Sequence, residues 1–180
     1  MLGSTSSPKT KELVLYIANR LSPKHNYGLT LLNKSLYFID SISYLKRGKG
    51  ISDFTYVKQT FGPTPEPRQF LSLRDMMVES GEIEITESEF FGRLQKRFTA
   101  RREPKVEVFN VEEIVIIDNV LSNIEDFNGA QISEMSHQFP AWKAAADREK
   151  LPLFTFLLSS KTPSDSDIEW AKAAIEECTE

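Results

Sequence analysis

One cysteine, Cys178, in 180 residues leaves no partner for an internal disulfide and no multi-cysteine zinc site. Histidine is nearly as scarce: His25 and His137 stand far apart, with no metal-ligand spacing around either. The glycines form neither a GxGxxG fingerprint nor a GxxxxGK phosphate loop, and no serine sits in a GxSxG elbow. No cofactor or metal is therefore expected. No apolar run reaches the roughly 18–20 residues of a membrane span. The opening "MLGSTSSPKTKE" also lacks an apolar core of signal-peptide length. The cytosol is thus the expected compartment, with no membrane partner. A formal net charge of −4 gives no overall field that would attract nucleic acid.

What is present is enough apolar material for one core. With 40% hydrophobic and 27% charged residues, one domain over residues 9–180 is expected behind a flexible lead at residues 1–8. Leu13, Tyr16, Ile17 and Leu21 recur at helical spacing, and "SPKHNYG" ends that helix. "LTLLNKSLYFIDSISYLKRG" gives a second helix, with Thr30 as its candidate cap. Its stripe of Leu32, Leu36, Ile39 and Ile42 is broadened by Leu31, Phe38 and Leu45, so neighbours on more than one side and a central position are expected. Phe54, Tyr56, Val57 and Phe61 form a short extended run, closed by Pro63, Pro65 and Pro67. No helix passes through those prolines, although Pro65 or Pro67 can open one. The third helix runs to about Ser80, with Phe70, Leu73, Met76 and Met77 apolar, and Gly81 stops it.

"EIEITESEFFGRLQKRFTARRE" reads as a β-hairpin with one acidic and one basic strand, so opposite charges across it can help fix the pairing. An apolar helix is expected from Val111 to Phe127, broken by Asn128 and Gly129. A last helix places Ile168, Ala171, Ile175 and Cys178 on one side. The fold class is α+β, mostly helical: a single domain with a small antiparallel hairpin packed against a helical core.

Three groups of residues invite a chemical reading. Ser136 and His137 are adjacent, so on a helix their side chains diverge by about 100° and do not readily share a proton. A histidine near a helix C-terminus can instead serve the terminal carbonyls and the dipole. Asp40, Glu112, Glu113, Asp165 and Asp167 read as solvated helix acids, and Trp142 and Trp170 as core anchors. Arg97, Arg101 and Arg102, with Arg93, Lys96 and Lys105, concentrate positive charge after three helices. That is also the outline of a winged-helix DNA-binding regulator. No helix offers an obvious set of Arg, Asn or Gln for base edges, so a solvated hairpin or a protein partner is the favoured reading.

Two stretches resemble a known family. "LNKSLYFIDSISYLKRGKGISDFTYVKQTFGPTPEP" is similar to the first half of the Panacea domain of SocA-like antitoxins, with its KLLYFAD helix and YGPV turn. Lys34, Leu36, Tyr37, Phe38 and Asp40 match the helix motif, with Ser35 and Ile39 as departures. Phe61, Gly62 and Pro63 match the turn, with Phe for Tyr and Thr64 for Val. "ISEMSHQFPAWKAA" resembles the family's LSxxSHxxxPW segment through Ser133, Ser136, His137 and Trp142, with Pro140 one residue early. The resemblance runs from about Leu13 to about Lys143. It implies a small helical α+β protein, not an enzyme, that neutralises a cognate protein toxin by direct binding or hands it to a protease as an adaptor. Candidate partner surfaces are the basic hairpin, with Arg97, Arg101 and Arg102, and the loop carrying Phe61, Pro63 and Pro65, where prolines limit the entropy lost on binding. Lys34, Tyr37, Asp40, Gly62, Ser136, His137 and Trp142 are motif residues expected to support the structure.

Overall fold

Ser7 begins the first helix in a computed structural model that describes residues 7–158, 164–166, 168, 169 and 172. The Ser7 side chain accepts from the Thr10 N–H and Pro8 occupies the first turn of α1 (Pro8–Leu21), so these two residues fix a helix start rather than end a flexible lead. Helix α2 (Leu29–Arg47) starts on Gly28 without a side-chain cap, and Thr30, the expected cap, lies inside the first turn. Gly48, at φ 73°, ends it in the left-handed conformation. Helix α2 contacts α1, the helices Val111–Ile124 and Gly129–His137, the strands Gly62–Pro65 and Arg93–Ala100 and the segment Leu153–Leu157, which is why it is buried on more than one side. Leu45, beyond those neighbours, is exposed.

The extended run after α2 closes into a hairpin of its own. Strands β1 (Tyr56–Gln59) and β2 (Gly62–Pro65) pair antiparallel, with Tyr56 opposite Pro65 and Gln59 opposite Gly62. Pro63 and Pro65 are tolerated because β2 is an edge strand. The other side of β1 is covered by residues 148–151: Lys58 N–H donates to Glu149 O at 2.9 Å and Leu151 N–H to Tyr56 O at 2.8 Å. Pro67 then opens α3 (Pro67–Glu79), which Glu66 caps and which buries Phe70, Leu73 and Met77 while leaving Met76 exposed. Strands β3 (Ile83–Phe90) and β4 (Arg93–Ala100) turn at Phe91 and Gly92, both at positive φ as a two-residue type I′ turn requires.

Asn110 and Glu113 form a capping box at α4 (Val111–Ile124), and Asn128 and Gln131 form another at α5 (Gly129–His137). Asn128 thus starts the fifth helix rather than merely breaking the fourth, which stops three residues short of Phe127. Pro140 opens the short α6 (Pro140–Ala144), and Leu153–Leu157 is a 3-10 segment. One core cluster gathers apolar residues from α1 to α5, both hairpins and the segment after α6. The fold is α+β and mostly helical, with two small hairpins rather than one. Trp170, Ala171, Ile175 and Cys178 of the expected last helix lie outside the described residues, and Ile168 is exposed. No described helix is long and apolar enough to cross a membrane.

Candidate functional site

The motif residues of α2, the first hairpin and α5 meet around one buried lysine. Lys34 is fully buried and donates from Nζ to Pro63 O at 2.7 Å. Gly62 sits at φ 99°, and a Cβ there would collide with Ser136 Oγ and lie 2.6 Å from Lys34 Nζ. Only glycine meets both demands, the left-handed backbone and the close approach. Ser136 Oγ donates to Ser133 O at 2.7 Å, one turn back along its own helix. Burial pulls the Lys34 pKa down to about 7.

His137 faces a different partner from Ser136. Its ring stacks on Trp142, with centroids 3.9 Å apart and planes at 12°. Burial first, and then the charge of Lys34, lowers its pKa, which disfavours the cation at this helix end. Its Nε2 is buried without a hydrogen-bond partner among the described residues. Trp142 is half-buried rather than a core anchor: its Nε1–H donates to Gln59 O at 3.3 Å and Lys58 Nζ lies 4.5 Å above the ring. Together these groups clamp α5 and α6 against the β1–β2 hairpin.

Asp40 and Glu113, expected as solvated acids, are both buried. Asp40 accepts from Ile51 N–H at 2.7 Å, Ser52 N–H at 2.8 Å, Tyr56 OH at 2.5 Å and the Ser52 hydroxyl. Burial pushes its pKa up, while hydrogen bonds from two backbone N–H groups and two hydroxyls favour the carboxylate. Tyr37 packs edge-on to Tyr56, 5.3 Å between centroids, and joins this post to the 3-10 segment through Phe156. Glu113 is bound by Lys9 and Arg47 at 2.9 and 2.8 Å.

Three cations of the basic hairpin are engaged by the fold itself. Arg97 donates to the carbonyls of Ser22 and Lys24 at 2.7 and 2.8 Å, and so ties β4 to the end of α1. Arg102 pairs with buried Glu12 at 2.7 Å and with Glu82 at 2.6 Å. Arg101 pairs with Glu84 across the hairpin. Burial alone would raise the Glu12 pKa, yet the Arg102 guanidinium holds it below the usual value. Arg97, Arg101 and Arg102, half of the cations that suggested a winged helix, are thus engaged within the chain. Among the described residues no group of three or more His, Cys, Asp or Glu is placed to hold a metal ion.

A cleft of about 340 Å³ opens between the start of α2, the β1–β2 turn, α3 and one face of the β3–β4 hairpin. Phe61, at the β1–β2 turn, is 66% exposed at its rim, with Leu71 and Ile85 also exposed there. Pro65, Phe70 and Phe98 line the interior, and Phe70 stacks on Phe98 at 5.7 Å. Pro63 is buried, so it holds this wall rather than presenting itself. Lys96 was marked only as part of the basic hairpin, and Asn33, Leu71 and Arg74 went unmarked in the sequence. The one signal for Asn33 was its place beside Lys34, and nothing local marks Leu71 or Arg74.

Residues 32–143, more than half the chain, match the family model described as antitoxin SocA-like, Panacea domain. No curated protein and no solved structure matches the chain significantly. The matched span begins within α2, includes the Lys34–Gly62–Ser136 junction and ends at the residue after Trp142. The chain belongs to the SocA-like antitoxin family that carries the Panacea domain.

Proposed function

We propose that this protein neutralises a toxin by direct protein–protein binding, with the cleft under Phe61 as the contact surface. The observation that carries the proposal is the 66% exposure of Phe61 on a turn immobilised from beneath by Lys34, Gly62 and Ser136. A large aromatic ring held out on a rigid support loses little conformational entropy on binding, and it is the residue type that anchors interfaces. Ser136 and His137 support binding over catalysis, because one bonds its own helix and the other stacks on Trp142. An adaptor that delivers the toxin to a protease would use the same contact as its first step. The test is co-expression with the product of the neighbouring gene. Restored growth and co-purification of the two proteins are expected; continued toxicity with no complex would overturn the reading.

A further inference from the structure

The cleft carries information about what it binds. Among the described residues its charged lining residues are Lys34, Arg74 and Lys96, with no carboxylate, although the chain as a whole has a formal charge of −4. Lys34 lies beneath the floor with its ammonium on Pro63 O. Arg74 is shared with its neighbour Asp75 at 2.6 Å. Lys96 is exposed at the rim and, among the described residues, has no hydrogen bond or ion pair. Glu87 stands opposite it in the ladder without forming one. Asn33 lines the cleft wall through other atoms, its Oδ1 being buried without a hydrogen-bond partner among the described residues. The exposed Phe61, Leu71 and Ile85 call for an apolar side chain beside the cation.

We infer that the cleft receives an acidic segment of a partner polypeptide. An aromatic or aliphatic side chain enters among Phe61, Phe70 and Phe98, and a carboxylate pairs with Lys96. A nucleic acid needs a row of free cations for its phosphates. Arg97, Arg101 and Arg102 are engaged within the fold, so these three are not free to form that row. The inference rests on the neutralisation reading for its biological partner, but its chemistry can be tested without that partner.

The experiment pans the purified protein against a phage-displayed library of random dodecapeptides. Enriched peptides should carry Asp or Glu beside Phe, Trp or Leu. The synthesised leading peptide should lose about tenfold or more in affinity against Lys96→Glu. It should lose a comparable amount against Leu71→Ser. Both positions are exposed, so unchanged melting curves are expected and separate binding from folding. No enrichment, enrichment without acidic residues, or binding indifferent to Lys96→Glu would overturn the inference. So would concentration-dependent self-association abolished by Phe61→Ser, or retention of a random DNA duplex abolished by Lys96→Glu. Growth rescue without acidic selectivity sinks this inference alone, whereas acidic-peptide binding without rescue sinks only the toxin-neutralising reading.

Discussion

At the scale of single residues, the sharpest constraint is Gly62. Its φ of 99° is costly for any side chain, and the Cβ of an alanine would press on both Ser136 and Lys34. Gly62→Ala should therefore lower stability by on the order of 3 kcal/mol, read as a fall in the denaturant midpoint. A variant as stable as the parent would mean that the three-way junction is looser than described. Lys34 gives a pH signature of its own. Its folded pKa is drawn down to about 7, below the value near 10.5 of an exposed lysine. The unfolded chain binds the extra proton between these two pH values, so stability contributed at this site rises with pH from about 7 towards 10.5. The limit is about 1.4 kcal/mol per pH unit. Lys34→Met should flatten that rise in denaturation curves taken across the window, and an unchanged slope would place the ammonium in contact with water.

At the scale of elements, helices were legible in the sequence and the first hairpin was not. Leu13, Ile17 and Leu21 announce α1 by period alone, and Pro67 announces the start of α3. Strands of four residues, one of them holding Pro63 and Pro65, carry too little alternation to show a pairing. What confirms β1 as a strand is residues 148–151, far along the chain. The same distance hid Asp40 and Glu113, whose donors come from residues 51–56 and from Lys9 and Arg47. Trp142 was legible as an anchor, but not as a half-buried one. Trp142→Ala should cost about 2 kcal/mol through the lost His137 stack and Lys58 contact. That is less than the roughly 3–5 kcal/mol of a wholly buried ring. A loss near the upper figure in chemical denaturation would return the ring to the core.

At the scale of the molecule, the family motifs mark the support of the candidate site, and the cleft marks its face. Lys34, Gly62 and Ser136 were recognisable in sequence because they form short runs. The cleft was not, because its walls come from residues 29–34, 59–74 and 85–98 and meet only in the folded chain. Phe61 is where the two meet, since it is the first residue of the motif turn and stands at the cleft rim. A mostly exposed ring contributes little to folding, and the proposed function gives it a use in contact with a partner. The most direct measurement is calorimetric titration of the purified neighbouring-gene product into the wild-type protein and into Phe61→Ser, with a melting curve for each. The wild type should bind, and the variant should keep its stability to within about 0.5 kcal/mol while losing on the order of 2 kcal/mol or more of binding free energy. A variant that folds and binds as the wild type does would contradict the assignment of this surface, and a wild type that does not bind would contradict neutralisation by contact.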